Sequence, residues 1–287
     1  MAILMDGKAL GIKIRENVKT KSEALREKGI TPCLAVVLVG DDPASLSYVN
    51  SKEKALAQAL MESRDIRLPA ETSEAELLSI IAELNRDEKV HGILVQMPLP
   101  KHINEETVID AIAREKDVDC FNTYSVGNMI LEKKGFIPCT PHGVLMLLRE
   151  YNIPVKGSHV VIVGRSNIVG KPLANLLIRK EYNATVTLCH TGTKDMAYHT
   201  LQADILIAAA GVPALIKPEM VKQGAVVIDV GINRVDDSAE KKGYRVCGDV
   251  DPAAADKASF FTPVPGGVGP MTIAMLLQNV VESAEAA

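Results

Sequence analysis

Strand-like and helix-like hydrophobic patterns alternate along the whole chain. Leu34–Val39 is a short β-branched run that ends at Gly40, and it predicts a buried strand, as does Gly92–Gln96 further on. Apolar positions recur at helical spacing over residues 8–28 and over Glu74–Asn85. This alternation is typical of parallel βαβ units and predicts an α/β fold.

The same pattern continues in the second half of the chain. His159–Val163 predicts a compact strand that leads into a loop containing glycines. Further strands are expected at Thr185–Leu188, Ile205–Ala209 and Ala225–Val230, and Thr272–Ser283 predicts a final amphipathic helix.

A boundary between two domains is expected near residue 139. Two prolines in Ile137–Pro141 disfavour regular structure, and Thr140 can begin a helix that runs through Tyr151. A second stretch rich in proline and glycine, Thr262–Pro270, is expected to be a loop. The 287 residues allow two ordinary domains.

Composition agrees with a buried parallel sheet. Hydrophobic residues make up 47% of the chain and aromatic residues 3%, with no tryptophan, so the core should consist mainly of Val, Ile, Leu and Ala. The net charge of −4 gives no reason to expect binding to nucleic acid or to an anionic membrane.

The cysteines and the N-terminal segment indicate a cytoplasmic protein. Five cysteines without a CxxC pair argue against a disulfide framework or a zinc site, and they suit free thiols in a reducing compartment. Asp6 and Lys8 interrupt the apolar N-terminus, so no signal peptide is expected. The longest apolar stretch, Ile205–Ile216, is too short to span a bilayer.

The loop after His159–Val163 could bind a dinucleotide. Gly164 lies where the chain leaves the strand, and Gly170 would permit close approach at the start of the next helix. Backbone N–H groups and the helix dipole would then face a pyrophosphate. The spacing is G-x-S-x-x-x-G rather than G-x-G-x-x-G, so the loop by itself is equally compatible with a plain glycine turn.

The residues around this loop favour NADP over NAD. The next strand ends in Cys189-His190-Thr191, without the acidic residue that would hold a ribose 2′-hydroxyl. Arg165 could pair with a 2′-phosphate, and Thr191 could add a hydroxyl donor. The alternative is that Arg165 is a solvated surface arginine and His190 an ordinary residue at a strand end.

A candidate proton-transfer group lies in the first half of the chain. Asp42 is expected to cap a helix on which Tyr48 and Lys52 are four residues apart and share a face. Gln96 follows another strand and could converge on the same crevice. A lysine beside an apolar wall has a lowered pKa and can exchange protons near neutral pH. The alternative is a solvated lysine, as expected for Lys54.

Two loops carry further candidate residues. In Lys116–Asp119, the last carboxylate could accept hydrogen bonds from the amino and ring N–H groups of a pterin, or it could be an ordinary turn aspartate. In Pro263–Pro270, prolines restrict the backbone and glycines allow close approach to a ligand; a rigid turn before the last helix is the alternative.

Eight motifs, in order and over nearly the whole chain, resemble the bifunctional methylenetetrahydrofolate dehydrogenase/cyclohydrolase family. They are SxxYVxxKxK at Ser45–Lys54, GILVQMPLP at Gly92–Pro100, KDVD at Lys116–Asp119, PCTPHGV at Pro138–Val144, VIVGRSNIVGKPL at Val161–Leu173, DVGIN at Asp229–Asn233, GDVD at Gly248–Asp251 and TPVPGGVGPMT at Thr262–Thr272.

The resemblance implies an enzyme with two activities and two domains. It implies NADP-dependent oxidation of 5,10-methylenetetrahydrofolate, followed by hydrolysis of the methenyl product to 10-formyltetrahydrofolate. A folate-binding catalytic domain would comprise residues 1–139, with the C-terminal helix at 271–287 returning to it. A Rossmann-like NADP-binding domain would comprise residues 140–270. The family also implies a homodimer formed through the Rossmann domains.

The resemblance also implies roles for individual residues. Lys52 would be the general acid/base, Gln96 would position it, Tyr48 would pack on the folate ring system and Asp119 would anchor the pterin. Substrate-side loop positions would be Pro263 and Gly267; cofactor-side positions would be Gly164, Arg165, Ser166, Thr191, Ile232 and Thr272.

Departures from the family pattern cluster beside the predicted pterin anchor. Cys120 replaces the glycine that usually follows KDVD, Ser125 stands where Asn is frequent, and Asn128 stands where a basic residue is common. Met61–Ser63 occupies the region of a usual GI pair. The alternatives are therefore a monofunctional dehydrogenase acting on folate or another pterin, and a non-catalytic nucleotide-sensing protein. The combined presence of Tyr48, Lys52, Gln96 and Asp119 argues against the last.

Overall fold

The computed structural model describes residues 2–238, 240 and 243–287. The strands are β1 (Ile3–Leu4), β2 (Cys33–Val39), β3 (Glu62–Leu68), β4 (Gly92–Val95), β5 (His159–Val163), β6 (Thr185–Cys189), β7 (Ile205–Ala208), β8 (Val226–Asp229), β9 (Asn233–Asp236), β10 (Tyr244–Cys247) and β11 (Phe260–Phe261).

Helices follow most of the strands, as parallel pairing requires. They are α1 (Gly7–Glu27), α2 (Pro43–Gln58), α3 (Glu74–Arg86), α4 (Glu105–Asp110), α5 (Thr123–Ile130), α6 (Cys139–Glu150), α7 (Gly170–Leu177), α8 (Met196–Thr200) and α9 (Val268–Ala286), with 3-10 turns at Pro218–Met220 and Pro252–Asp256. No helix of the described residues is long and apolar enough to cross a membrane.

The chain forms two units, each built from separate stretches of sequence. The first comprises residues 12–139 and 273–287, and the second comprises residues 1–11 and 140–272. We call them the lysine unit and the glycine-loop unit, after the candidate sites they carry. The sequence-based division placed residues 1–11 with the first domain. In the structure they cluster with the glycine-loop unit, because β1 pairs in parallel with β11.

The lysine unit contains a parallel three-stranded sheet in the order β3-β2-β4. Every residue of β2 is buried, as expected for a central strand covered on both faces. Leu77, Ile81 and Leu84 of α3 pack into the same core. Strand β3 has the charged sequence ESRDIRL and lacks the hydrophobic pattern of a buried strand, because it forms an exposed edge of the sheet.

The glycine-loop unit contains a six-stranded parallel sheet in the order β1-β11-β8-β7-β5-β6. The chain passes from β5 to β6 on one side and then crosses to β7 on the other side of β5. Open α/β sheets bind ligands at such a switch point, outside the carboxyl ends of the strands. Parallel sheets in both units confirm the predicted α/β class.

The last helix begins earlier than its sequence predicted. Helix α9 starts at Val268, inside the expected Thr262–Pro270 loop. Pro270 is compatible with this start because the first N–H groups of a helix have no intrahelical partner. Further along α9, Leu277 and Val281 are fully buried, and both belong to the lysine unit.

Candidate functional site

The lysine unit carries Tyr48 and Lys52 on helix α2. Asp42 begins the helix, because its side chain accepts a hydrogen bond from the Ser45 backbone N–H at 2.8 Å. Tyr48 is 44% exposed, so its ring is available to a ligand. Lys52 is half-buried, whereas Lys54 on the same helix is exposed.

Lys52 and Gln96 are brought together by the sheet. The Gln96 backbone N–H donates to the Val37 carbonyl, which holds this residue at the end of β4. Lys52 Nζ donates to Gln96 Oε1 at 3.0 Å. Gln96 Nε2 donates to the Met97 carbonyl at 2.8 Å, so the amide presents its oxygen to the lysine. The ammonium or amine of Lys52 is therefore held in one direction.

Asp119 is the carboxylate that acts on Lys52 through its charge. Burial lowers the pKa of Lys52, and the negative charge of Asp119 opposes that shift. Burial likewise raises the pKa of Asp119, and the charge of Lys52 opposes it. Desolvation is the larger cause for both groups, so their neutral forms are more accessible than in water.

Cys139 belongs to this cluster, although the sequence indicated no site role for it. Its Sγ lies 3.4 Å from Asp119 Oδ1 and 3.5 Å from the Val118 carbonyl oxygen. Burial raises the pKa of this thiol well above its usual range, so it remains a protonated donor. The PCTP sequence predicted the domain boundary. Its contact with Asp119, 20 residues away in sequence, is visible only in the folded structure.

The other residues of the KDVD turn have structural contacts. Lys116 Nζ donates to the carbonyls of Leu84 and Asp87, at 2.9 and 2.7 Å. Asp117 accepts hydrogen bonds from the Phe121 and Asn122 backbone N–H groups. Asp119 also lines a small cavity of the lysine unit, together with Ile93, Leu94, Val95, Met97, Ile109, Ile112, Asp117 and Phe121.

The departures beside Asp119 fit the local backbone. Cys120 is fully buried and adopts a φ of 59°, a left-handed conformation that explains why glycine is usual there. The Ser125 backbone N–H donates to the Asn122 side chain at the start of α5. Asn128 forms a side-chain hydrogen bond with Tyr124, whose pKa it lowers.

In the glycine-loop unit, two glycines allow backbone segments to pack directly. Gly164 has a φ of +127°, and a Cβ there would lie 2.0 Å from the Ala209 carbonyl oxygen. A Cβ on Gly170 would lie 2.0 Å from the Gly164 carbonyl oxygen. Neither position can hold a side chain, so the loop is more specialised than an ordinary glycine turn.

The start of α7 offers few N–H donors, because Lys171 and Leu173 donate to the carbonyls of Ser166 and Val169, and Pro172 has no N–H. Its N-cap residue, Val169, makes no side-chain capping bond, and its own N–H donates to Ser166 Oγ at 3.2 Å. Arg165, Ser166 and Thr191 are all exposed at the carboxyl ends of β5 and β6. Hydroxyls and a guanidinium are groups that bind phosphates.

Two buried carboxylates hold the backbone behind this loop. Asp249 accepts hydrogen bonds from the Ala210 and Gly211 N–H groups, at 2.6 and 2.8 Å, directly after the Ala209 carbonyl that faces Gly164. Asp229 accepts from the backbone N–H groups of residues 231, 249 and 250. Burial raises the pKa of Asp229 to about 6 despite these bonds. Asp229 lies in the DVGIN motif and Asp249 in the GDVD motif, but the spacing of these motifs along the sequence did not indicate which backbone groups they bind.

The remaining predicted positions lie in loops and helix starts of the glycine-loop unit. Ile232 follows β8 and is 48% exposed. The Thr272 hydroxyl lies 2.9 Å from the Thr140 hydroxyl. Gly267 donates its backbone N–H to the Pro263 carbonyl at 2.8 Å, which closes the turn before α9.

Both halves of the chain match models of one protein family. Residues 5–119 match the catalytic domain of tetrahydrofolate dehydrogenase/cyclohydrolase, and residues 138–287 match its NAD(P)-binding domain. The chain is 56% identical over 284 residues to bifunctional protein FolD of Moorella thermoacetica, covering 99% of each protein. It is 52% identical to bifunctional protein FolD of Campylobacter hominis, covering 98% of this chain and 97% of that protein.

Solved structures agree over the full length. The bifunctional FolD methylenetetrahydrofolate dehydrogenase/cyclohydrolase of Campylobacter jejuni has a TM-score of 0.95 and 49% identity, covering 100% of this chain and 99% of that one. The Trypanosoma brucei enzyme, solved with NADP cofactor and an inhibitor, has a TM-score of 0.94 and 38% identity, covering 99% and 98%. On this sequence and structural similarity, the chain belongs to the tetrahydrofolate dehydrogenase/cyclohydrolase family.

Proposed function

We propose that this chain oxidises 5,10-methylenetetrahydrofolate with NADP and hydrolyses the methenyl product to 10-formyltetrahydrofolate. The family and its bifunctional relatives support both activities. The observation that carries the proposal is the hydrogen bond from Lys52 to Gln96 beside Asp119, because it is an arrangement suited to moving a proton.

Lys52 is the proposed general acid/base. Its lowered pKa makes the neutral amine more accessible than that of a solvated lysine, so Nζ can accept a proton from an attacking water during hydrolysis. The same Nζ can then donate a proton to the ring nitrogen that leaves when the methenyl bridge opens. Gln96 Oε1 accepts one N–H of Lys52 and thereby orients its lone pair and remaining hydrogens.

Asp119 and Tyr48 are the proposed substrate-binding groups of the lysine unit. A pterin presents an amino group and a ring N–H on one edge, and a carboxylate can accept both. The Cys139 thiol leaves the remaining acceptor capacity of Asp119 for such a ligand. Tyr48 offers a flat, partly exposed ring against which a planar heterocycle can pack.

The residues of the glycine loop fit NADP. Gly164 and Gly170 allow the tight backbone packing of the loop at the carboxyl end of β5, the positive end of the α7 dipole suits a pyrophosphate, and Arg165 with Thr191 suits a 2′-phosphate. Ser166, Ile232 and Thr272 are assigned to the cofactor, and Pro263 and Gly267 to the substrate, by family resemblance. When bound, NADP accepts the hydride removed from the methylene bridge. We assign NADP binding mainly to residues 140–270 and folate binding mainly to residues 1–139 with 271–287, with Pro263, Gly267 and Thr272 as the exceptions.

A spectrophotometric assay tests both activities. Purified protein with methylenetetrahydrofolate and NADP should form methenyltetrahydrofolate, whose absorbance then decays as it is hydrolysed. Formation without decay above the uncatalysed rate would identify a monofunctional dehydrogenase. Absence of product with either NADP or NAD would contradict the proposal.

We also propose a homodimer formed through the glycine-loop unit. Strand β6 is an edge of its sheet, and Ile178, at the end of α7, is 56% exposed. Two such edges can pair about a twofold axis. Light scattering during size-exclusion chromatography should give twice the mass of 30.9 kDa, and a monomer mass would refute this assignment.

Five cysteines without disulfide bonds support a cytoplasmic location.

A further inference from the structure

One buried amide of helix α9 connects the two segments that carry Asp119 and Cys139. Asn279 is 1% exposed. Its Nδ2 donates to the Val118 carbonyl at 2.7 Å and to the Ile137 carbonyl at 3.1 Å. The same nitrogen lies 3.7 Å from Cys139 Sγ. Both amide hydrogens are therefore used by carbonyls next to the candidate site.

The bond to Val118 acts directly on Asp119. The Val118 carbonyl, the Asp119 backbone nitrogen and the Asp119 Cα belong to one planar peptide group, so fixing the carbonyl also restrains the position of that Cα. The single S–H of Cys139 can donate to the same carbonyl or to the Asp119 carboxylate, because its Sγ lies within reach of both. Asn279 thus holds the turn and the thiol that contacts it.

Other contacts also fix this turn, but they act on residues before and after the Val118–Asp119 peptide. The Ile93 N–H donates to the Lys116 carbonyl at 2.8 Å, and Gly92 leaves room for Val118, whose Cγ1 would be 2.9 Å from a Cβ there. After the turn, Asp117 accepts the N–H groups of residues 121 and 122. The Val118–Asp119 peptide lies between these contacts, and it is the peptide that Asn279 and Cys139 bond to.

We propose that Asn279 is a positioning residue for substrate binding, which acts by setting the direction of the Asp119 carboxylate. This inference rests on the proposed role of Asp119 as the anchor of the pterin. Asn279 makes no contact with the substrate in this scheme. Its removal should weaken substrate binding more than it slows turnover, because Lys52 and Gln96 keep their own hydrogen bond.

Helix α9 offers a matched control. Ser283, one turn further along, is 8% exposed and donates its hydroxyl to the Glu115 carbonyl at 2.8 Å. It is also a buried side chain that bonds α9 to the backbone before the turn, but its acceptor is four residues from Asp119. Ser283→Ala therefore reproduces the loss of a helix-docking bond without releasing the Val118 peptide.

The experiment compares Asn279→Ala with Ser283→Ala in the full-length enzyme. Asn279→Ala should raise KM for methylenetetrahydrofolate about tenfold, change kcat less, and leave the Kd of NADP unchanged. Ser283→Ala should also lower Tm, but by less because it removes one hydrogen bond rather than two, and it should leave KM unchanged. If Asn279→Ala fails to fold, Asn279→Ser, which retains one hydroxyl donor, is measured in the same way and should show a smaller rise in KM.

Coupling to Asp119 separates this inference from the proposed function. Asp119→Ala should raise KM, and the Asp119→Ala/Asn279→Ala enzyme should have the KM of Asp119→Ala alone. A rise in KM with Asp119→Ala but not with the Asn279 variants would overturn the positioning role and leave the anchor intact. Unchanged KM with Asp119→Ala would remove the anchor and the inference with it. Additive rises in the double variant would also overturn the positioning role.

Discussion

The lysine unit and the glycine-loop unit form their candidate sites in different ways. Lys52, Gln96, Asp119 and Cys139 are half-buried or buried side chains that contact or electrostatically influence one another. In the glycine loop, Arg165 and Ser166 are exposed, and the shape of the site comes from backbone segments at Gly164 and Gly170.

This difference indicates what each site can tolerate. A side-chain cluster with shifted pKa values depends on the identity of a few groups, so a single substitution should remove the chemistry while the fold persists. A backbone-shaped loop depends on the absence of side chains, so the damaging change there is an added atom. Substitutions at the two sites can therefore test this contrast.

Replacing the lysine should abolish proton transfer and leave cofactor binding intact. Lys52→Met keeps an apolar stem of similar length but removes the amine, so cyclohydrolase activity should fall by about a thousandfold or more. Oxidation should be strongly impaired, and NADP affinity, measured by fluorescence titration, should not change. Lys54→Met, an exposed site on the same helix, is the control and should be fully active. Full hydrolysis by the Lys52 variant would contradict its role as the proton-transfer group.

Adding one methyl group to the glycine loop should damage folding and cofactor binding together. Gly164→Ala must accept an unfavourable φ and a Cβ against the Ala209 carbonyl, so the free energy of unfolding should fall by about 3 kcal/mol. Gly157→Ala also requires a positive φ but meets nothing within 4 Å, and it should cost about 1 kcal/mol. Urea denaturation measures both. Equal losses would show that φ strain, rather than backbone packing, makes glycine necessary at 164.

The buried carboxylate behind the loop should make stability depend on pH. The pKa of Asp229 is about 6 in the folded protein against 3.8 for an ordinary aspartate, so the folded state binds more protons between these values. Its contribution should therefore favour folding at low pH and fall by about 2 kcal/mol as the pH rises from 4.5 to 7, with little change above pH 7.

The effect is isolated by comparing urea denaturation of the wild type with Asp229→Asn at both pH values. The free energy of unfolding of the wild type minus that of Asp229→Asn should be about 2 kcal/mol smaller at pH 7 than at pH 4.5. Asp251→Asn is the control: hydrogen bonding lowers the pKa of Asp251, so this group is ionised in the folded protein at both pH values and should add almost no pH dependence between them. A pH-independent difference between wild type and Asp229→Asn would show that Asp229 does not titrate in this range.

The smallest expected effect is on the choice of cofactor. Arg165→Gln removes the guanidinium proposed to pair with the 2′-phosphate, so the Kd of NADP should rise about tenfold while that of NAD stays constant. Because Arg165 is exposed, Tm should be unchanged. Equal weakening of both cofactors would assign Arg165 to the pyrophosphate instead.

Hydrophobic periodicity was sufficient to predict elements with a buried face. Strand β2 and helix α3 lie where their patterns indicated, because burial imposes the period of the element on the sequence. Strand β3 was missed because an edge strand with charged residues carries no such pattern. The paired strands β9 and β10 were also missed, since their alternation of exposed and half-buried residues is short and weak.

The candidate sites were predictable to a similar degree. Tyr48 and Lys52 could be placed together because four residues make one helical turn, and Gln96 could be placed at a strand end. The contacts of Cys139, Asn279 and Asp249 could not be foreseen. Each joins residues separated by 20 to 161 positions, and such partners are set by the fold rather than by local spacing.

The hydrogen bond from Asn279 to Val118 has a consequence for folding during synthesis of the protein. A ribosome makes the chain from its N-terminus at roughly 5–20 residues per second, so residue 118 emerges long before residue 279. The lysine unit therefore lacks its last helix until residues 140–272 of the glycine-loop unit have been translated. Its apolar surface, later covered by Leu277 and Val281, stays uncovered during that interval, and transiently exposed apolar surface makes a chain prone to aggregation.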